Sequence, residues 1–201
     1  PGALAESYPY GGQYFLHGPR LMEYLQEMKQ QVLSKFDTLT VGETPGETPD
    51  SAAEIVNETN GALSMVFQFE HMGLDHVPGA SKWELKPWDL LDLKQTMTRW
   101  QKGLENRGWN SLYLSNHDQP RAVSRFGDDG RYRVESAKML ATFLHMQQGT
   151  PYIYQGEEIG MTNVRFEAID DYRDIETLNM YREAAASPVF DPQRVMQSIY
   201  V

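Results

Sequence analysis

The chain has 201 residues, of which 40% are hydrophobic and 11% aromatic, enough to form the core of one ordinary domain. With 28 acidic and 18 basic residues its formal charge is −10, which argues against nucleic acid or an anionic membrane surface as a partner. There is no cysteine, which excludes disulfides and thiolate metal sites, and no apolar stretch of about eighteen residues that could cross a membrane. The first residues do not resemble a signal peptide, so we expect a cytoplasmic protein.

Helical and strand-like patterns alternate along the chain. Apolar residues recur at helical spacing in residues 19–35, at Leu21, Tyr24, Leu25, Met28 and Val32. The first strand is predicted at 37–42, ending at Glu43, and a helix at 51–58, capped by Asp50 or Ser51. A second strand is predicted over 63–69.

Residues 70–88 form a long loop rich in Pro, Gly and Trp. A strong helix is predicted for 89–107, with Leu90, Leu93, Met97, Trp100 and Leu104 on one face. The remaining predicted elements are a third strand at 110–114, a helix at 131–148, a fourth strand at 151–154 and a final helix at 171–186.

Two carboxylates follow predicted strands. Glu43 ends the apolar run 39–41, and Asp118 comes shortly after the run 112–114, 75 positions further on (118 − 43). The ends of parallel strands are where α/β barrels carry their catalytic groups, and a pair of carboxylates can cleave a glycosidic bond. Spacing alone makes them candidates for a sugar-cleaving pair; a solvated loop carboxylate or a turn Asp before Pro120 is the alternative.

Longer motifs around both carboxylates resemble the α-glucosidases of glycoside hydrolase family 13, the α-amylase superfamily, and most closely its oligo-1,6-glucosidase (isomaltase) group. The matching segments lie at 40–46, 82–104, 115–130, 137–163 and 171–183. The resemblance covers nearly the whole chain. It implies an α/β fold and, for the four predicted βα units, a partial TIM (β/α)8 barrel containing family strands five to eight.

The resemblance also implies residue roles. Glu43 matches the general acid/base of the family, Asp118 the carboxylate that stabilises the transition state, and His117 a residue that binds glucose hydroxyls in the first subsite. The reaction implied is a retaining double displacement on α-1,6 or α-1,4 glucosidic bonds of short oligosaccharides such as isomaltose. We expect an α-glucoside oligosaccharide as substrate, with no metal or other cofactor.

The family nucleophile, an Asp in a G-F-R-x-D segment, is absent from the 201 residues. We therefore expect residues 1–201 to be the C-terminal half of a glycosidase barrel, lacking its N-terminal half and a trailing β-domain, and to be inactive alone. The open edges of half a barrel would favour self-association. Two alternatives stay open: a trehalose-6-phosphate hydrolase, and a non-catalytic scaffold with the same fold.

Other polar clusters are weaker candidates. Glu70, His71 and His76 lack a standard metal-ligand spacing, and a flexible polar loop is the favoured interpretation. For Glu157 and Glu158, which follow the fourth strand, a structural role at the strand end is favoured over catalysis. The segment 128–130 is predicted to be a turn and not a calcium loop.

Overall fold

The computed structural model describes residues 11–200, and these form two compact units. The first contains the described residues up to His76, together with Pro87–Tyr113 and Phe143–Tyr152. The second contains Val77–Lys86, Leu114–Thr142 and the described residues from Ile153 onward. The helix over 133–145 contributes to both.

The first unit contains a parallel sheet of short strands: β1 (Val41–Glu43), β2 (Met65–Phe67), β3 (Ser111–Leu112) and β4 (Thr150–Pro151). β1 pairs with β2 and β3 pairs with β4, both in parallel, and a parallel bridge between Val66 and Asn110 joins the two pairs. The spatial order therefore follows the chain order, as expected for repeated βα units. β1, β2 and β3 lie where the sequence predicts strands but are shorter, whereas β4 begins one residue before the predicted 151–154 and shares only Pro151 with it.

The described helices are α1 (Leu21–Gln31), α2 (Pro49–Val56), α3 (Leu90–Leu104), α4 (Ala122–Phe126), α5 (Arg133–His145), α6 (Ile175–Ala185) and α7 (Pro192–Tyr200). Short 3-10 helices cover Gly12–Tyr14, Leu33–Lys35, Glu70–Gly73, Glu157–Ile159 and Ile169–Asp171. The prediction that the helix at 171–186 is the final one is wrong, since α7 follows it. The start of α7 has a recognisable signal, because the Asp191 carboxylate accepts hydrogen bonds from the N–H groups of Gln193 and Arg194.

The core of the first unit lies between α2, α3 and β2. It is formed by Ala52, Ala53, Ile55, Val56, Val66, Trp100 and Leu104. Gly103 lets α3 approach α2 closely, because a Cβ at this position would lie 2.3 Å from the Cβ of Pro49. The predicted inner face of α3 is buried at Leu93, Met97, Trp100 and Leu104, whereas Leu90 is 60% exposed.

The start of α2 differs from the prediction. The cap is Thr48, not Asp50 or Ser51, and its hydroxyl accepts a hydrogen bond from the N–H of Ser51. The Ser51 hydroxyl in turn accepts from the N–H of Thr48, which completes a capping box. Pro49 fits the first helical position because no intrahelical bond needs its missing N–H.

The predicted inner face of α1 is only partly right. Met22 and Leu25 pack against the core of the first unit, and the side chains of Gln26 and Lys29 donate to the carbonyls of Asn60 and Gly61. The other four predicted face residues, Leu21, Tyr24, Met28 and Val32, are 37–53% exposed. α1 thus carries a second apolar stripe that is not buried.

In the second unit, α4 supplies Ala122, Val123 and Phe126 to the buried interior, and Thr177 of α6 is also buried. Lys82, in the loop before α3, forms an ion pair of 2.5 Å with Glu176 of α6. Among residues 11–200 no helix has the length and hydropathy needed to cross a bilayer.

Candidate active site

Glu43 is the last residue of β1, at the carboxyl end of the strand, as predicted. Gly42 before it lies against β2, where a Cβ would come within 2.8 Å of Leu63 Cδ1 and 3.2 Å of Val66 Cγ1. Thr44 after it donates two hydrogen bonds to the carbonyl of Phe67, from its hydroxyl at 2.9 Å and from its N–H at 3.1 Å. Neighbours on both sides therefore fix the main chain of Glu43, while its side chain is exposed.

His117 and Asp118 lie in the loop that follows β3, and the structure brings them together. His117 Nε2 is 3.3 Å from Asp118 Oδ2, and the side chains are 74% and 65% exposed. The turn is set by Asn116, whose side-chain oxygen accepts from the Asp118 N–H at 2.8 Å. Glu43 belongs to the first unit and this pair to the second. Their joint action in one site remains a prediction.

The far end of this loop is held by Arg121. Its N–H donates to the side-chain oxygen of Asn163 at 2.8 Å, and its guanidinium donates to the carbonyl of Gln155 at 2.5 Å. The guanidinium carbon also lies 4.9 Å from the ring centre of Tyr154. We call Arg121, Tyr154, Gln155 and Asn163 the Arg121 anchor. The sequence analysis missed it because the partners lie 33–42 positions away.

Glu157 and Glu158 shape the turn after β4, in agreement with the structural role favoured from sequence. Glu157 Oε2 accepts from the N–H of Tyr154 and Glu158 Oε2 from the N–H of Gly156, each at 2.7 Å. Burial raises the pKa of the Glu157 carboxyl, and the hydrogen bond from Tyr154 and the charge of Arg121 act in the opposite direction. Both carboxylates thus accept hydrogen bonds from nearby main-chain N–H groups.

His71 belongs to a buried hydrogen-bond network. Its Nδ1 is 2.7 Å from the amide nitrogen of Gln68, and its Nε2 is 2.8 Å from the carbonyl oxygen of Tyr113. Because the amide donates to Nδ1, Nε2 carries the proton and donates to Tyr113. The prediction of a flexible polar loop is therefore wrong for His71, which is 1% exposed.

Glu70 and His76 contact residues outside the His71 network. Glu70 pairs with Arg99 and accepts from the indole N–H of Trp100 at 2.8 Å, whereas His76 lies 3.8 Å from Asp75. Within the part of the chain that the structure describes, no three acidic or histidine side chains cluster as metal ligands.

A second histidine–carboxylate pair, which the sequence did not indicate, joins Glu47 in the loop after Glu43 to His17 before α1. His17 Nδ1 is 3.2 Å from Glu47 Oε1, and the Glu47 side chain is 5% exposed. The two residues are 30 positions apart with α1 between them, so no local pattern links them. The pair fixes the loop at Gly46, which adopts a φ of +84°.

Comparison with known proteins gives a consistent result. The model of the alpha amylase catalytic domain matches residues 4–197. Oligo-1,6-glucosidase from Parageobacillus thermoglucosidasius is 67% identical over 195 residues, which cover 97% of this chain and 34% of the relative. Trehalose-6-phosphate hydrolase from Bacillus subtilis is 53% identical over 172 residues, covering 85% of this chain and 30% of that protein.

A solved structure agrees with these relatives. The crystal structure of Bacillus licheniformis trehalose-6-phosphate hydrolase superposes with a TM-score of 0.86 and 47% identity, over 95% of this chain and 34% of that one. The chain thus spans about a third of the length of the relatives it matches.

Proposed function

The chain belongs to the α-amylase catalytic-domain family, and we propose that the protein containing it is a retaining exo-α-glucosidase that hydrolyses α-1,6-glucosidic bonds of short oligosaccharides. The observation that carries this proposal is the 67% identity over 195 residues to an oligo-1,6-glucosidase. The chain retains Glu43 and Asp118, each after a parallel strand, which is the arrangement expected of a glycosidase barrel. Residues 1–201 would form the C-terminal half of that barrel.

In the proposed reaction Glu43 begins protonated and gives its proton to the glycosidic oxygen, so that the leaving sugar departs as an alcohol. An Asp outside this chain forms the bond to the anomeric carbon. Glu43, now ionised, takes a proton from the water that breaks this bond. Asp118 stays ionised and accepts hydrogen bonds from sugar hydroxyls that strengthen as positive charge develops on the ring, and His117 donates to a hydroxyl of the same sugar.

A trehalose-6-phosphate hydrolase is the second candidate, favoured by the 53% identical relative and by the solved structure. The higher identity to the oligo-1,6-glucosidase, 67% against 53%, favours the first candidate. A non-catalytic scaffold is disfavoured because Glu43, His117 and Asp118 are all present.

The function is tested in a hybrid enzyme. In it, this chain replaces the matching segment of the Parageobacillus thermoglucosidasius oligo-1,6-glucosidase, which supplies the rest of the protein. We expect the hybrid to release glucose from isomaltose and to leave trehalose 6-phosphate essentially intact. A folded hybrid that cleaves neither substrate contradicts the proposal, and one that prefers trehalose 6-phosphate supports the second candidate.

The role of Glu43 is tested by Glu43→Gln in the hybrid, which removes the transferable proton and keeps the shape. We expect isomaltose turnover to fall by at least about 100-fold, the usual contribution of a general acid. Glu54→Gln on the exposed face of α2 is the matched control and should leave turnover unchanged. Near-normal activity of Glu43→Gln would refute the assignment.

The 201 residues alone should not hydrolyse glucosides, because they contain no G-F-R-x-D segment to supply the nucleophile. The measurement is release of p-nitrophenol from its α-glucoside by the purified chain. The unsubstituted hybrid at equal concentration is the positive control. Release by the chain alone, abolished by Glu43→Gln, would show that the nucleophile lies within it.

We also propose that the isolated chain self-associates through the edges of its sheet. The C=O of Thr40 and the N–H of Thr44 face β2, so the main-chain groups of Val41 and Glu43 face away from it. The residues that precede β1 include the apolar Phe36 and Leu39, whose side chains are 65% and 66% exposed. In a dimer whose twofold axis runs along the strands, β4 of each copy would lie beside β1 of the other copy. These two contacts would close the sheet.

A further inference from the structure

The loop that carries His117 and Asp118 gets little support from those two side chains. The two side chains contact each other at 3.3 Å, and both are more than half exposed. The position of the Asp118 carboxylate therefore depends on how the main chain of residues 116–121 is held. At its first end the loop is set by the turn at Asn116, whose side chain accepts from the Asp118 N–H.

At its second end the loop is held by the Arg121 anchor. Only Gln119 and Pro120 separate Asp118 from Arg121, and the ring of Pro120 fixes one of the few free backbone angles between them. Gln119 is also restrained, since its side-chain oxygen accepts from the guanidinium of buried Arg125 at 2.6 Å. A displacement of Arg121 would therefore be transmitted to Asp118.

Arginine suits this position for a geometric reason. Its planar guanidinium donates to the Gln155 carbonyl at 2.5 Å and lies over the ring of Tyr154, two contacts that one flat group can make together. A lysine ammonium offers a point charge and no plane, so it reproduces this pair of contacts less well. Space for the guanidinium comes from Gly156, where a Cβ would lie 3.0 Å from Arg121 Nη1 and 2.9 Å from Met161 Sδ.

Asn163, the fourth residue of the Arg121 anchor, contacts the main chain of Arg121. The Asn163 side chain accepts from the N–H of Arg121, and the Asn163 N–H donates to the Ser124 hydroxyl at 2.9 Å. Asn163 thereby ties the end of the loop to α4. Together the four anchor residues join the loop after β3 to the turn after β4, and all of them belong to the second unit.

From this geometry we infer that Arg121 is a positioning residue for Asp118, acting through Tyr154, Gln155 and Asn163 without touching the substrate. The inference rests on the proposed function, because it takes Asp118 as the stabilising carboxylate. It extends that function by assigning a role to residues of the turn after β4, including Tyr154 and Asn163.

A defect in positioning has a distinctive kinetic effect. Asp118 matters most when charge develops on the sugar ring, so a misplaced Asp118 lowers kcat more than it weakens substrate binding. A misplacement of about 1 Å can cost roughly 100-fold in rate. We therefore expect Arg121→Ala in the hybrid enzyme to lower kcat for isomaltose by roughly 10- to 100-fold, with KM changed less than about threefold.

The variant series separates positioning from a general loss of stability. Arg121→Lys should have a kcat only slightly higher than that of Arg121→Ala, because lysine restores the positive charge and not the planar guanidinium. Tyr154→Phe keeps the ring under the guanidinium and should retain more activity than Tyr154→Ala. The matched control is Arg131→Ala, which removes an exposed arginine lying 5.1 Å from the ring centre of Tyr132 and should leave kcat unchanged.

The outcomes are distinguishable. An inactive unsubstituted hybrid would refute the proposed function, whereas an active hybrid in which Arg121→Ala behaves like Arg131→Ala would refute only the positioning role. A larger KM with unchanged kcat would also refute it, since that pattern indicates lost substrate binding. If Arg121→Ala fails to fold, Asn163→Ala tests the same inference, and it must lower kcat by at least about threefold to support it.

Discussion

The main chain of each candidate site residue is held by contacts of its neighbours in sequence. Gly42 lets the strand before Glu43 lie against Leu63 and Val66, and Asn116 forms the turn that presents Asp118. Such local determinants are visible in the motifs around both carboxylates, which is why the sequence located them at strand ends. The contacts of Arg121 and His17 could not be found in this way, because their partners come from distant parts of the chain.

The role of His71 at the residue level can be tested by stability. His71→Ala removes two buried hydrogen bonds, from Gln68 and to Tyr113, and leaves a cavity. We expect the free energy of unfolding to fall by about 2–4 kcal/mol. Urea denaturation of the purified chain measures it, with His76→Ala at a half-exposed position as the control. A loss for His71→Ala no larger than for His76→Ala would contradict a structural role.

At the level of elements, the sequence located the longer helices well and their ends less well. α3 follows the predicted periodicity because four of its five predicted apolar positions enter the core. The cap of α2 was assigned two or three positions too late, since Thr48, Asp50 and Ser51 are all residue types that cap helices and sequence alone does not rank them. α4 was missed because five residues between Pro120 and Gly127 give too short a pattern.

The N-cap of α6 gives a pH-dependent prediction. Hydrogen bonds from the hydroxyl and N–H of Thr177 lower the pKa of Asp174. A carboxyl whose pKa is lower in the folded state stabilises the fold above its unfolded pKa, and this stability is lost as pH falls through the folded pKa. Asp174→Ala should therefore reduce the free energy of unfolding by about 1 kcal/mol at pH 7.

The difference between the Asp174→Ala variant and the parent should shrink as the pH falls below the ordinary Asp pKa of 3.8. Urea denaturation at pH 7 and at acidic pH measures it. Asp171→Ala, at an exposed position before α6, is the control. If Asp174→Ala reduced the free energy of unfolding equally at all pH values, the ionised Asp174 carboxylate would not be the source of the lost stability.

At the level of the whole molecule, the main feature is a parallel sheet with β1 and β4 at its edges. The second stripe of α1, the residues that connect α1 to β1, and β1 itself leave seven apolar side chains 37–66% exposed, at Leu21, Tyr24, Met28, Val32, Phe36, Leu39 and Val41. Pro151 in β4 lacks an N–H and weakens pairing at the other edge.

We expect the purified chain to form a dimer of twice its 23.0 kDa mass, measured by light scattering after size exclusion. Val41→Lys places a charge in edge strand β1 and should shift the mass toward the monomer. Val134→Lys, at an exposed position in α5 of the second unit, should leave the dimer intact. A monomeric parent chain, or equal effects of both substitutions, would contradict association through this edge.

Local sequence indicated the four strands and the described α-helices other than α4 and α7, and it placed Glu43, His117 and Asp118 at or shortly after strand ends, because hydrophobic periodicity and turn residues act over a few positions. The motifs also carried the family, which the match to residues 4–197 shows. Only the tertiary structure decided that α1 buries Met22 and Leu25 instead of its whole predicted face, that His71 lies in the core, and that Arg121 anchors the loop of Asp118. These depend on which distant segments meet, and no local pattern encodes such long-range contacts.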